Sequence, residues 1–168
     1  MAWPIGYAVR MPGPVDKPVD RAALGVILVD HGSRRDESNE LLLEVVRQFA
    51  AASGLPIVEP AHMELAEPSI AAAFARCVER GAGTIVVFPY FLLPGRHWHE
   101  DIPRLAAEAA RHHPGVRYLV TAPLALHPLI NDIISQRIEH CLAFASGQVD
   151  ACDLCTGTDY CQLLGGGA

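Results

Sequence analysis

The chain has 168 residues, of which 51% are hydrophobic and 19% are charged, and its net charge is −6. This length suits one domain, and the apolar content is sufficient for a buried core, which excludes an intrinsically disordered protein. The acidic balance argues against a nucleic-acid binder that depends on neutralising phosphates. No apolar run reaches the roughly 18 residues that a membrane span requires.

Two strand–helix pairs are predicted in the first half of the chain. Residues 1–22 precede them as a proline-rich, disordered leader. The apolar run 24–29 predicts a strand, and apolar residues at helical spacing predict a helix over 36–52. Residues 57–62 predict a second strand. Pro68 is then expected in the first turn of a helix that ends near Arg80.

The second half continues the alternation of strands and helices. The segment 84–88 is the clearest buried strand because it is continuously apolar. A loop, a helix, a strand and a helix are then predicted over residues 89–99, 101–112, 116–120 and 128–146. The alternation predicts an α/β fold with a single domain over 23–147, in which helices flank a central parallel four-stranded sheet. A cysteine-rich tail over 148–168 follows.

Polar residues follow the predicted strands, at the sheet edge where α/β proteins bind ligands. In chain order they are His31, His62, Glu64, His97, His99 and His127. The first and third strands are expected to be neighbours, which would bring His31 and His97 to one cleft. A neutral imidazole can bind a metal or accept a proton, and Glu64 can balance a cation or relay a proton. The alternative for each is a solvated surface group.

Arginines and one aspartate accompany these histidines. Arg34, Arg35 and Arg96 can bind carboxylates through two hydrogen bonds, and their alternative is simple solvent exposure. Asp30, at the end of the first strand, is expected either to orient His31 or to cap the next helix.

Four of the five cysteines lie near the C-terminus, with the spacing C-x10-C-x2-C-x5-C: Cys141, Cys152, Cys155 and Cys161. Four thiolates can hold a zinc ion or an iron–sulfur cluster, and the spacing leaves both possibilities open. Cys141 also shares an apolar stripe with isoleucines of the last helix, so a core position is its alternative. Cys77 is predicted to lie in the core.

Three segments in combination resemble the small class II chelatases, and among these the plant-type sirohydrochlorin ferrochelatases. The segments are 31–35 (HGSRR), 59–69 (EPAHMELAEPS) and 94–99 (PGRHWH), and the resemblance extends over about residues 24–164. It implies that Fe²⁺, or Co²⁺ as in some relatives, is inserted into sirohydrochlorin without ATP.

The resemblance also implies roles for particular residues. His31 and His97 would bind the metal and abstract protons, with Glu64 as a third catalytic residue. The residues expected to bind the flat, polycarboxylated substrate are Ser33, Arg34, Arg35, Tyr90 and Arg96. The four C-terminal cysteines would hold a [2Fe–2S] cluster.

A chain of this length resembles one half of the two-lobed chelatases, so the resemblance further implies a homodimer. It implies the chloroplast stroma if the source is a plant or an alga, and the cytoplasm otherwise. One competing interpretation is a non-catalytic iron–sulfur or metal carrier whose cysteine tail is the functional part. Another is a zinc-dependent hydrolase that uses His31, Glu64 and His97.

Overall fold

A computed structural model of the protein describes residues 19–152. These residues form two compact units, 19–90 with 94–123 and 91–93 with 124–152. Within the segment predicted to be a leader, Asp20 accepts a hydrogen bond from the Ala22 amide and caps a 3₁₀ turn over Arg21–Ala23. Residues 1–18 and two of the four C-terminal cysteines, Cys155 and Cys161, lie outside the described residues.

The first unit is built on a parallel sheet of four strands, as predicted. The strands are β1 (Leu24–Asp30), β2 (Ile57–His62), β3 (Thr84–Pro89) and β4 (Arg117–Val120). Their order across the sheet is β2-β1-β3-β4. The expectation that the first and third strands are neighbours is therefore confirmed, with Val29 paired to Pro89 near their carboxyl ends.

Helices cover both faces of the sheet, which explains why β1 and β3 are apolar without alternation. Val26 and Leu28 pack with Leu42 and Val46 of helix α1 (Asp36–Ser53) in one buried cluster. Helix α2 (Ile70–Glu79) packs closely on β1, because a Cβ at Gly25 would lie 3.1 Å from the Cβ of Cys77. Cys77 is fully buried, so its predicted core position is confirmed.

Two helix starts differ from the prediction. Pro68 precedes α2, and the Ser69 side chain caps the helix by accepting from the Ala72 amide. Residues 97–99, expected to end a loop, instead begin a π turn over His97–Asp101 that continues into helix α3 (Ile102–Arg111). The Ile102 amide bonds the carbonyl of His97, five residues earlier, and this spacing has no apolar period that a sequence pattern would show.

The second unit contains helix α4 (Leu129–Ala145), which has no buried residue. Cys141 is exposed, and more than half of the surface of Ile133, Ile134 and Ile138 is exposed. The core alternative for this stripe is therefore wrong within the described chain. Apolar residues at helical spacing predict that one face of the helix is favourable to bury. The spacing does not indicate whether the same chain or another molecule buries that face. None of the helices between residues 19 and 152 is long and apolar enough to cross a bilayer.

Candidate active site

His31 and His97 lie side by side in the first unit. Their ring centroids are 5.2 Å apart and the ring planes cross at 67°. His31 follows β1 directly, and the π turn that begins with His97 follows β3. Because β1 and β3 are parallel neighbours, their carboxyl ends share one edge of the sheet, where α/β proteins bind ligands. The two imidazoles therefore meet at one edge of the sheet, as expected.

Each of these histidines contacts its own carboxylate. His31 Nε2 is 2.8 Å from Glu64 Oε1, and His97 Nδ1 is 2.8 Å from Asp101 Oδ2. Both imidazoles are nearly half exposed, at 43% and 44%, so a ligand can reach them. Sequence reasoning singled out Glu64 and missed Asp101. The available signal was the four-residue spacing of His97 and Asp101, which places them on one face only if the segment is helical.

The hydrogen bond from His97 lowers the pKa of Asp101, and the charge of Arg96 lowers it further, while partial desolvation opposes both. Asp101 therefore stays ionised near neutral pH and accepts a hydrogen bond from His97 Nδ1. A carboxylate on one ring nitrogen directs the lone pair of the neutral imidazole to the other nitrogen. This arrangement favours His97 Nε2 as the nitrogen that binds a cation.

The loop after β1 lies close to the loop after β2. Gly32 has a φ of +83°, and a Cβ at this position would lie 2.0 Å from the carbonyl oxygen of Glu64. The Glu64 amide donates to the carbonyl of His31 at 3.2 Å. Glycine is therefore required here for two reasons, its left-handed backbone and the close approach of the second loop. The contact brings Glu64 to His31.

His62 is buried, so its interpretation as a solvated surface group is wrong. It ends β2, is only 1% exposed, and its Nδ1 lies 2.5 Å from Asp30 Oδ1. The same Asp30 oxygen accepts from the Gly32 amide at 2.9 Å. Asp30 thus bonds the loop that carries His31 and does not cap helix α1, whose first residue is preceded by Arg35 without a side-chain cap.

The π turn is anchored by its tryptophan. Trp98 Nε1 donates to the carbonyl of Thr121 at 2.8 Å, just beyond β4. The Trp98 and His99 rings lie 4.4 Å apart, which gives His99 a packing contact within the turn. His127 lies in the second unit, where its Nδ1 accepts from the Leu129 amide.

The residues predicted to bind substrate have different surroundings. Arg34 and Arg35 are exposed, whereas Ser33 is held by Asn39, which exchanges two hydrogen bonds with its backbone. Arg96 Nε lies 3.7 Å from carboxylate oxygens of both Glu100 and Asp101, so its charge is partly shared within the protein. Tyr90 is 40% exposed.

A cleft of about 390 Å³ opens beside the start of α1. Ser33, Arg34 and His62 are among its lining residues, but neither His31 nor His97 is. The histidine pair is thus an open surface next to this cleft. Such openness suits a large flat ligand better than a small enclosed one.

Among residues 19–152, no three His, Cys, Asp or Glu side chains are arranged so that they could hold a metal ion. His31, Glu64 and His97 are close together, but their donor atoms do not converge on a common point. The three-ligand geometry that a zinc hydrolase uses is therefore not found in the described part of the chain.

Comparison with known proteins identifies the family. A family model described as CbiX matches residues 25–141. The chain belongs to the CbiX family. The match covers the four-stranded sheet except its first residue, Leu24, and both segments that carry the histidine pair.

Relatives of this CbiX chain include named chelatases. It is 57% identical over 139 residues to the chloroplastic sirohydrochlorin ferrochelatase of Arabidopsis thaliana, which covers 83% of this chain and 62% of that one. It is 32% identical over 120 residues to the sirohydrochlorin cobaltochelatase of Sulfolobus acidocaldarius, covering 71% of this chain and 94% of that one.

A solved structure shares the fold of this CbiX chain. The sirohydrochlorin chelatase SirB of Bacillus subtilis subspecies spizizenii, in complex with cobalt, matches with a TM-score of 0.66 and 29% identity. The match covers 69% of this chain and 50% of SirB. The chain thus spans about three-fifths of the plant relative and half of SirB.

Proposed function

We propose that this CbiX-family protein inserts a divalent metal, Fe²⁺ or Co²⁺, into sirohydrochlorin without ATP. The observation that carries the proposal is the pair of half-exposed imidazoles, 5.2 Å apart, each hydrogen-bonded to a carboxylate. The names of the plant and archaeal relatives and of SirB support the same substrate.

The chemistry of insertion requires the groups that this site contains. One M²⁺ ion replaces two pyrrole N–H protons, so the site must deliver a cation and accept two protons. Neutral imidazole nitrogens coordinate first-row divalent ions and also act as bases near neutral pH. Glu64, on His31 Nε2, is 54% exposed and can pass a proton from the imidazole to solvent.

The geometry also fits a metal that is a substrate. A chelatase must release its cation to the macrocycle, so a tight cage of convergent ligands would oppose the reaction. No such cage is found among the described residues. Two imidazoles that coordinate the cation one after the other can replace part of its hydration shell and still release the cation to the macrocycle.

The test is a comparison of histidine variants in an absorbance assay. Protein, sirohydrochlorin and Fe²⁺ or Co²⁺ are mixed anaerobically, and the spectrum of the macrocycle is followed. We expect His31→Ala and His97→Ala to abolish the acceleration over the uncatalysed rate. His112→Ala, at an exposed position at the end of α3, is the matched control and should retain the wild-type rate.

The opposite pattern would overturn the proposal. If both histidine variants insert metal at the wild-type rate while Cys152→Ser abolishes activity, the carrier interpretation is favoured. Wild-type protein that does not accelerate insertion of either metal would contradict the proposed function directly.

Arginines at the loop ends are proposed to bind the substrate carboxylates. Because Arg34 has no ion pair within the described chain and Arg96 shares its charge with Glu100 and Asp101, Arg34→Ala should weaken binding more than Arg96→Ala. Both changes should raise the Kd for sirohydrochlorin, measured by absorbance titration without metal, more than they lower kcat. Arg47→Ala, which removes an α1 ion pair with Glu44, is the control. An unchanged Kd in the Arg34→Ala, Arg96→Ala double variant would refute this role.

The cysteine tail is proposed to hold a [2Fe–2S] cluster. Of the four cysteines, Cys141 is exposed, Cys152 is buried and neither is in a disulfide, which fits thiolate donors in their chemistry. The other two lie outside the described residues. A cluster bound there would supply one-electron redox chemistry, and no step of metal insertion requires it.

Alkylation tests this cluster, with Cys77 as an internal control. Burial raises the pKa of Cys77 to about 12, so it should not react with iodoacetamide in native protein at pH 8. Cys141 should be modified in cluster-free protein and protected in brown, anaerobically purified protein, as measured by mass spectrometry. Colourless anaerobic protein whose Cys141 reacts at the cluster-free rate would contradict the cluster.

A homodimer is proposed from an exposed apolar surface in the second unit. Its members are Leu92, Leu93, Leu126, Leu129, Ile133, Ile134, Ile138 and Leu142, each more than half exposed. Monomeric proteins rarely expose so many contiguous apolar side chains. Because the chain spans half of SirB, a second copy is the occupant that would supply the missing half.

Sedimentation measures this association. Ile134→Glu should shift the protein from dimer to monomer, whereas Gln136→Glu, which adds the same charge elsewhere on α4, should not. A wild-type monomer at micromolar concentration would refute the dimer.

The chloroplast stroma is proposed as the compartment if the source is a plant or an alga, with the cytoplasm otherwise. The support is the chloroplastic relative at 57% identity. Fluorescent-protein fusions of the full-length gene product in leaf cells test it. A signal in the cytosol alone would contradict it.

A further inference from the structure

The buried pair of His62 and Asp30 has no role in the proposed metal insertion, yet it joins the two loops that carry the catalytic groups. Asp30 immediately precedes His31, and His62 lies two residues before Glu64. His62 is 1% exposed, while the Asp30 side chain is 25% exposed. A histidine is rarely buried so completely without a specific polar partner.

Three hydrogen bonds connect these loops around the pair, and a fourth, from the Gly32 amide, lies within the loop that carries His31. His62 Nδ1 donates to Asp30 Oδ1 at 2.5 Å, and the Gly32 amide donates to the same oxygen at 2.9 Å. The Met63 amide donates to the carbonyl of Asp30 at 2.9 Å, and the Glu64 amide donates to that of His31 at 3.2 Å. The Asp30 carboxylate is thus shared by the side chain of one loop and the backbone of the other.

The pair also determines how close the loops can come. The Glu64 carbonyl occupies the space that a Cβ at residue 32 would need, so the two backbones are in direct contact there. Removal of the His62 donor would leave Asp30 with half of its partners and would place a new side chain against this contact. The expected result is a shift of Glu64 relative to His31.

We propose that His62 and Asp30 are positioning residues, which hold Glu64 at hydrogen-bond distance from His31. The effect of the pair on the contact between Glu64 and His31 does not depend on the function of the protein. Only the effect of the pair on kcat rests on the proposed function. The pair acts through the loop backbones and does not touch the substrate.

Hydrogen exchange of backbone amides tests the structural part without any activity assay. In His62→Phe, the Gly32 and Glu64 amides should exchange at least about 10-fold faster, whereas Val26 and Leu28 in β1 should keep their protection. His113→Phe is the matched control, because His113 stacks on Phe74 in the core at a centroid distance of 5.5 Å. This control should leave the Gly32 and Glu64 amides unchanged.

Steady-state kinetics test the functional part. We expect His62→Phe and Asp30→Ala to lower kcat by about 10-fold or more, with less than a twofold change in KM for sirohydrochlorin. Asp30→Asn keeps an oxygen that can accept from Gly32, so it should restore part of the rate lost in Asp30→Ala. The double variant His62→Phe, Asp30→Ala should be no slower than the slower single variant, because both changes remove one interaction.

Three results would overturn the proposal. The first is unchanged exchange at Gly32 and Glu64 in a folded His62→Phe or Asp30→Ala protein. The second is loss of thermal stability with kcat unchanged, which would make the pair merely structural. The third is full additivity of the two single variants. Failure of the proposed function would give a different result. The wild-type protein would not accelerate metal insertion, but His62→Phe would still speed hydrogen exchange at the Gly32 and Glu64 amides.

Discussion

At the scale of single residues, His31 and His97 are held through different ring nitrogens. Glu64 contacts Nε2 of His31, whereas Asp101 contacts Nδ1 of His97. The carboxylates therefore favour Nδ1 of His31 and Nε2 of His97 as the nitrogens with the lone pair, and His31 Nδ1 also lies 3.4 Å from the carbonyl oxygen of Gly32. The two imidazoles thus differ in which ring nitrogen contacts a carboxylate. The contact between His97 and Asp101 can be tested through the pKa of Asp101.

The ionisation of Asp101 should depend on His97. Because the hydrogen bond from His97 is the main cause of the lowered pKa of Asp101, the contact persists above that pKa and is lost as the pH falls through it. A ¹³C NMR titration should place the Asp101 midpoint below that of an ordinary aspartate. In His97→Ala the midpoint should rise towards the ordinary value, and an unmoved midpoint would contradict the assigned cause.

The glycine at position 32 should tolerate no side chain. Gly32→Ala combines a left-handed backbone with a Cβ 2.0 Å from the Glu64 carbonyl, and we expect a loss of about 3 kcal/mol or more in unfolding free energy. Gly54→Ala is the matched control, because its φ is +65° and a Cβ there meets nothing within 4 Å. It should cost about 1–2 kcal/mol. Urea unfolding measures both, and equal losses would show that the contact with Glu64 adds no strain.

At the scale of elements, the strands were the most predictable part of this fold. The continuously apolar run 84–88 predicted β3, which extends over Thr84–Pro89. The bounds of β2 were also predicted, although Glu59 and His62 interrupt its apolar sequence. The helix starts were less predictable because caps and turns depend on single hydrogen bonds. The π turn placed His97 and Asp101 on one face, and no apolar period indicated that geometry.

The cap of α2 should have a measurable stability. The Ser69 hydroxyl accepts from the Ala72 amide, so Ser69→Ala should lower the unfolding free energy by about 1 kcal/mol. Ser38→Ala, at an exposed position in the first turn of α1, should be neutral or slightly stabilising because alanine favours helices. Chemical denaturation measures both variants. A loss for Ser38→Ala as large as that for Ser69→Ala would argue against the cap.

At the scale of the whole molecule, the family was predictable from motif combinations more than from composition. Three segments carried the family resemblance, and the CbiX match over residues 25–141 confirms it. His62 shows what the sequence could not provide. Its position after a strand suggested a ligand-facing side chain, whereas its burial depends on Asp30, 32 positions earlier in the chain.

The net charge of −6 should influence association of the proposed substrate, sirohydrochlorin. Sirohydrochlorin carries several carboxylates, so long-range repulsion should slow its approach while nearby arginines act at short range. Raising the ionic strength from about 0.01 to 0.15 M shortens the Debye length from about 30 to 8 Å and screens the repulsion. Stopped-flow association rates should therefore rise with salt. A falling rate would show that the local arginines dominate even at long range.

The two imidazoles reach the same edge of the sheet through connections of different length. His31 directly follows Asp30, the last residue of β1, whereas seven residues separate Pro89, the last residue of β3, from His97. The position of the His31 backbone is therefore set by the ladder between the two central strands, while that of His97 also depends on the hydrogen bond that anchors Trp98 to Thr121. A substitution that weakens this anchor can change the distance between the rings and leave the ladder intact.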